Sequence, residues 1–456
     1  MQATVSPSAR KLVIQARSAK TNLPKPSYRS NRPHVLLICY DYPCNYAAGV
    51  IRTYQFAKEL LGFGWQPVIL TAQGFGQSEY NIERSNGMLE CETVSAPEIR
   101  FSNYSGTPQT PGSQSELEEQ SLTRRFHRFG SGLALPDGKL GWLYPAVRRA
   151  RKIMRAYPIR LCFSVSPRPT AHLVGFLLAR SCKIAWVADF ALPWSDAYWL
   201  TRRPRCIRYL DERLEGLVIR SANHITVAYP ELARKLALHF CDTKAANIDV
   251  IPTGFDEDLF VRAKPTVSRK FTILYPGNHF LEAGRYGEYF LRAFDDWLDL
   301  EPGLDQRVEF VVMGKHDGEL LRQQRCMTHS QVVHLEKMVP HSACIEKILS
   351  AQVCVVNTIG HRVPSKVYEC MRAGKWILAL TSPSSDLAAI VQGYPKAIVV
   401  SAQDTSAIAF ALRSIWRRCH SDTVEEPHSK EYLGNWSARH STVSLAAVFD
   451  QLLVNG

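Results

Sequence analysis

The chain has 456 residues, 46% of them hydrophobic and 21% charged, with a formal net charge of +13. At about 150 residues per domain this is enough for two or three cores, and it excludes a disordered or collagen-like chain. The 12 cysteines are scattered, form no C-x-x-C and often fall in apolar runs such as VCVV and LCFSV, which excludes a disulfide framework or zinc site and implies a reducing, cytoplasmic setting. The most apolar long stretch, AHLVGFLLARSCKIAWVA, is cut by Arg180 and Lys183, so no transmembrane helix is expected. Residues 1–33 carry basic but no acidic side chains and lead into no apolar signal-peptide region; they are read as a disordered basic leader. Charge is uneven: residues 1–250 hold 33 Lys and Arg against 19 Asp and Glu, residues 251–456 hold 22 against 23. No nucleic-acid recognition motif accompanies the basic half, so no nucleic-acid partner is expected. An anionic membrane surface or an anionic substrate fits that half instead.

Along the chain, short β-branched runs alternate with helical patterns, the mark of βαβ units and parallel sheets. HVLLICY (34–40) is apolar throughout, as a strand covered on both faces should be. Val50, Tyr54, Ala57, Leu60 and Leu61 then share one helix face, GFGW (62–65) stops that helix, and PVILTA (67–72) is the second strand. Residues 74–135 lose this clarity, and 102–120, rich in Ser, Gly, Pro and Gln, is read as a mobile loop. A basic helix (PAVRRARKIMRAY), then RLCFSVS (160–166), a helix over 170–180, KIAWVADF (183–190), a charged helix near 206–220, HITVAY (224–229) and IDVIPTG (248–254) complete a first domain over 34–254. Residues 255–270 are polar and contain proline, the natural connector. A second series follows over 271–435, with strands expected at 271–277, 308–314, 332–338, 353–359, 376–381 and 397–400. Residues 436–456 form a last helix with the option of crossing back to the first domain. The fold class is α/β, two Rossmann-like domains whose parallel sheets face a central cleft.

In such sheets ligands sit beyond the carboxyl ends of the strands. Ala47-Ala48-Gly49 and Tyr275-Pro276-Gly277 are turns of that kind, but neither is a Walker loop or a G-x-G-x-x-G fingerprint. Pro364-Ser365-Lys366 can start a helix that Gly374 ends, placing Lys366 and Glu369 three apart on one face. That pair is either a surface ion pair or a site in which the carboxylate accepts a ribose diol while Lys366 and free N–H groups take a pyrophosphate. Asp256-Glu257-Asp258 mimics a metal-binding D-x-D but lies at the connector, and no metal is assigned to it.

The segments HVLLICYDYPCNYAAGVIRTYQFAKELLGFGWQPVILTA, SVSPRPTAHLVGFLLA, AWVADFALPW, ITVAYPELARKL, IDVIPTGFD, ILYPGNHFLEAGR and VPSKVYECMRAGKWILAL resemble, in order and over roughly residues 34–450, the family 4 glycosyltransferases of the GT-B fold. The resemblance implies a retaining, metal-independent transfer from a nucleotide sugar, UDP- or GDP-linked, held by the C-terminal domain. It needs no further cofactor. The implied acceptor is a saccharide, most simply a lipid-linked one in cell-surface polysaccharide assembly, met at the cytoplasmic face of a membrane. Residue by residue, Glu369 matches the second glutamate of E-x7-E, Arg285 the residue that grips the diphosphate, and Gly49 and Arg52 the loop and helix start near the phosphates. Gly277, Asn278, Pro364, Ser365 and Lys366 complete the implied donor site. His361 stands where the first glutamate is customary, Asn278 where an arginine often stands, and Ala191 and Leu192 replace a charged pair. Asp189, His172 and His361 are the catalytic candidates; His172, on an apolar helix, is more often a core residue, and Asp189 is equally readable as a residue that orients a loop. These departures keep two alternatives open, an inactive nucleotide- or sugar-binding protein and a nucleotide-sugar epimerase. Trp186, Trp194 and Trp199 would stack a sugar, touch lipid or simply pack. Arg148, Arg149, Arg151, Lys152 and Arg155, with Arg202, Arg203, Arg205 and Arg208, are the basic groups available to a membrane.

Overall fold

Strands and helices alternate through both halves of the computed structural model, which describes residues 32–43, 48–74, 81–99, 135–195, 203–240 and 247–454, apart from 267, 283, 284, 317, 359 and 422–429. The described residues belong to one unit, Arg32–Gly456. Most of the leader, the 102–120 loop, Trp199 and Arg202 lie outside them. The first sheet contains β1 (His34–Ile38), β2 (Gln66–Ala72), β3 (Glu92–Ala96), β4 (Ile159–Val165), β5 (Ala185–Phe190), β6 (His224–Val227) and β7 (Ile248–Val250). Their order is β3-β2-β1-β4-β5-β6-β7 and every pairing is parallel. The second contains β8 (Phe271–Tyr275), β9 (Val308–Met313), β10 (Val333–Glu336), β11 (Val353–Asn357), β12 (Trp376–Leu380) and β13 (Ala397–Val400), in the order β10-β9-β8-β11-β12-β13. Central strands such as HVLLI and WILAL are buried at every position because helices cover both faces. In each sheet the order reverses beside the first strand, between β1 and β4 and between β8 and β11, and that switch point opens a crevice for ligand.

The chain passes between the lobes twice, and the two passages are zipped together. Phe255 N donates to Trp436 O (3.1 Å), and Ala438 N donates to Phe255 O (2.8 Å). Gly254 at φ +73° permits this approach, since a Cβ there would sit 2.7 Å from Ala438 N. The last helix, Ala438–Val454, then packs in the N-terminal core: Phe449 meets Trp65 and Phe163 at ring-centroid distances of 5.2 and 5.6 Å, and Trp65 Nε1 donates to Asp450 (2.9 Å). The Asp256-Glu257-Asp258 string serves this junction. Asp256 caps the helix Glu257–Arg262 through Asp258 N and pairs with Lys58, while Glu257 pairs with Arg372. No helix among the described residues is long and apolar enough to cross a membrane.

Candidate functional site

A cavity of about 390 Å³ lies at the carboxyl ends of both sheets. The N-terminal lobe lines it with Ile51, Ala191, Leu192, Ala228 and Thr253; the C-terminal lobe contributes the turn Tyr275–Asn278, Arg285, His341, Asn357 and the run Arg362–Lys366. Six expected donor residues, Gly277, Asn278, Arg285, Pro364, Ser365 and Lys366, therefore meet on one wall, with Ala191 and Leu192 among the groups opposite.

The β8 turn is held by its own side chains. Tyr275 Oη donates to Asn278 O (3.0 Å), and Arg285 Nη1 donates to Tyr275 Oη (2.6 Å) and, at 3.5 Å, to Asn357 Oδ1. Arg285 Nε pairs with Glu282 (3.1 Å), so the guanidinium is fixed by three partners before any ligand arrives. Arg362 lines the same cavity. Burial first, and the charge of Arg285 after it, draw the Arg362 guanidinium below its usual range, while Tyr229 of the N-terminal lobe acts the other way. The lining thus carries three cations, Arg285, Arg362 and Lys366, and among its residues no carboxylate.

Lys366 opens the seven-residue helix Lys366–Arg372. The N–H groups of Val367 and Tyr368 already donate to Pro364 O and Ser365 O at 3.1 and 3.3 Å. These two N–H groups of the helix end singled out in the sequence are therefore already engaged. Glu369, 2% exposed, stands behind Lys366 and outside the lining itself. It accepts from Lys366 Nζ (2.7 Å) and from His341 Nε2 (2.8 Å). Burial alone would raise its pKa, but the Lys366 ammonium and His341 outweigh burial and hold the carboxyl at about 2.

Other expected residues lie elsewhere. Arg52 and Asp189, both 0% exposed, face each other across the N-terminal core: Arg52 Nε and Nη2 donate to Asp189 Oδ2 and Oδ1, each at 2.8 Å, and Thr226 Oγ1 donates to Oδ1 at 2.6 Å. Neither is among the lining residues; the two bind each other in the interior of the lobe. His172 is also inside. Its ring stacks on Phe190, 4.6 Å between centroids, and its Nδ1 lies 2.8 Å from Ser164 Oγ. Burial pushes its pKa down to about 3, which makes it a neutral core residue instead of a cleft base. Gly49 is buried for packing: a Cβ would fall 1.9 Å from Ser166 O, so helix Ala48–Leu60 starts where only glycine fits. His361, half-buried, precedes Arg362 and is not among the lining residues. Trp186 and Trp194 are core residues that donate to Ser164 Oγ (2.9 Å) and Asp211 Oδ1 (3.3 Å).

The sequence reading missed Arg362, His341 and Asn357. Arg362 adjoins the singled-out His361, and His341 follows Pro340 at a helix start, but only the fold brings them to one wall.

Two Rossmann-like lobes enclosing a cavity at their switch points define the GT-B class. Residues 49–254 match the glycosyl transferase 4-like domain family. No curated protein matches the sequence. By structure the chain is similar to sucrose-phosphate synthase of Thermosynechococcus elongatus, with TM-score 0.66 and 16% identity over 93% of this chain and 100% of that one. It is also similar to Anabaena HepE, solved with UDP-glucose, at TM-score 0.57 and 12% identity over 92% and 98% of the two chains. WaaG, a glycosyltransferase of lipopolysaccharide biosynthesis, follows at TM-score 0.56 and 13% identity over 92% and 98%. At these identities the likeness is one of fold. The family match covers the N-terminal lobe, and the chain as a whole shares the GT-B fold of these structures.

Proposed function

We propose that the protein transfers a sugar, with retention of anomeric configuration, from a UDP- or GDP-linked donor to a saccharide acceptor. The observation that carries this reading is the cavity wall with Arg285, Arg362 and Lys366 and no carboxylate among its residues. A nucleoside diphosphate leaving group gains negative charge as the glycosidic bond breaks, and fixed guanidinium and ammonium groups in a cleft stabilise that charge without a metal. With no carboxylate nucleophile in the wall, a phosphate oxygen of the leaving group is the base that takes the acceptor proton on the same face. The crystal structure of HepE with UDP-glucose supports a ligand of this class in a cleft of this fold.

In this reading Arg285 and Lys366 grip the diphosphate and the Gly277-Asn278 turn lies beside it. Lys366 leaves Glu369 for the phosphates, and the freed Oε2 of Glu369 accepts from the ribose diol. Ala191 and Leu192 face the transferred sugar or the acceptor. A lipid-linked acceptor is supported by a groove of about 720 Å³ along the helix Leu143–Ala156, where Arg148, Arg151, Lys152 and Arg155 surround Leu143, Tyr144 and Leu177. Anionic liposomes at low salt should retain the protein, and charge reversal at Arg151 and Arg155 should release it.

Incubation with nucleotide sugars and lipid-linked saccharides, with the anomeric configuration of the product read by NMR, tests the transfer itself. The proposal expects a retained product and a loss of about a hundredfold in kcat/KM for Arg285→Ala. Nucleotide binding with neither transfer nor hydrolysis would instead leave a binding protein, the reading favoured by His361 at the position of a customary glutamate.

A further inference from the structure

Asn86, at the end of helix Ile82–Asn86, belongs to the N-terminal lobe, yet its side chain reaches into the C-terminal one. Its Nδ2 lies 3.0 Å from His341 Nδ1, His341 Nε2 lies 2.8 Å from Glu369 Oε1, and Glu369 Oε2 lies 2.7 Å from Lys366 Nζ. Asn86, His341 and Glu369 are 4%, 2% and 2% exposed, so the chain of bonds runs through the interior. With the Asn86 amide as placed, Nδ2 donates to an unprotonated Nδ1, and the Nε2–H donates to the carboxylate.

We propose that His341 is a positioning residue for the donor site, fixing the Glu369 carboxylate at Oε1 and itself held by Asn86 of the opposite lobe. This rests on the assignment of Glu369 to the ribose. When Lys366 turns to the diphosphate, Glu369 loses its nearest cation, and His341 is the group that still holds Oε1 in place. The open Oε2 then presents a defined acceptor to the 2′ and 3′ hydroxyls. Without His341 the carboxylate can rotate away, and the site loses its preference for ribose while Arg285 and Lys366 still grip the phosphates. The N-terminal lobe thereby sets the ribose selectivity of a site built otherwise from the C-terminal lobe.

Calorimetric titration of the full chain with UDP and 2′-deoxy-UDP, and in parallel with GDP and 2′-deoxy-GDP, reads this selectivity as a ratio of dissociation constants. Wild type should favour the ribonucleotide of its preferred pair by about tenfold or more, the value of one hydrogen bond to a charged group. His341→Ala should bring the ratio to within about twofold of unity. His341→Gln, whose amide can donate to Glu369 and accept from Asn86, should restore most of it, and Asn86→Ala should give an intermediate ratio. A merely structural role would lower the melting temperature of His341→Ala and leave the ratio at its wild-type value; that result overturns the inference. Glu369→Ala separates the two levels. If it keeps the wild-type ratio, or if wild type binds none of the four nucleotides, the ribose assignment fails and the inference falls with it. If Glu369→Ala loses the ratio and a folded His341→Ala keeps it, only the role of His341 is refuted.

Discussion

Asp189→Ala removes a carboxylate that is 0% exposed and accepts three hydrogen bonds, two from Arg52 at 2.8 Å and one from Thr226 at 2.6 Å. The guanidinium left behind is itself 0% exposed, and its Nη1 already has no hydrogen-bond partner. Breaking a buried pair from one side strands a charge in the core and costs about 3–5 kcal/mol, whereas exchanging both partners for apolar groups of similar size is often neutral. Urea unfolding followed by tryptophan fluorescence should therefore show Asp189→Ala unfolding at least about 1 M earlier, for a slope of about 3 kcal/mol/M. The double variant Arg52→Met with Asp189→Leu should recover more than half of that loss; Thr226, which still lacks its acceptor, accounts for about 1 kcal/mol of the remainder. It should also bind nucleotide as wild type does, because neither side chain lines the cavity. An Asp189→Ala protein within about 1 kcal/mol of wild type, or a stable double variant that has lost nucleotide binding, would refute the structural assignment of this pair.

Three further outcomes follow from the packing and the charges. Gly49→Ala should cost about 2–3 kcal/mol in thermal or urea unfolding, since its Cβ would meet the backbone oxygen of Ser166 at 1.9 Å and backbone yields little. Phe449→Ala should cost about 3–5 kcal/mol, because it empties the contact that fastens the last helix to Trp65 and Phe163 in the N-terminal core. Glu369, held at about 2 against an ordinary 4.5, should contribute about 3 kcal/mol of stability that is fully present above pH 4.5 and is lost as the pH falls toward 2. Unfolding midpoints between pH 6 and 3 should drop more steeply for wild type than for Glu369→Gln.

Apolar runs such as HVLLI and VCVVN announce buried parallel strands in the sequence because each is covered on both faces. Strand β3 escaped that reading: ETVSA sits at the sheet edge with its side chains alternately exposed, and it carries no apolar run. The cavity wall was legible where its residues lie close together in the chain, at 277–285 and 364–366. The fate of Arg52 and Asp189 was not, since 137 positions separate them and a charged residue at a helix start looks the same whether it faces a cleft or a partner. Asn86 and His341 lie 255 positions apart, and no local pattern marks either as the other's neighbour. Asp256-Glu257-Asp258 gained its meaning only when the fold set Lys58 and Arg372 against it.

The central claim is that the cavity between the lobes is a nucleotide-sugar donor site, and calorimetric titration of the full chain with UDP, GDP, ADP, dTDP and CMP tests it most directly. The account predicts that one diphosphate, UDP or GDP, binds with clear preference and that Arg285→Ala and Lys366→Ala each weaken it about tenfold or more. A cooperatively folded protein that binds none of the five, or binds one equally well in both variants, would contradict it.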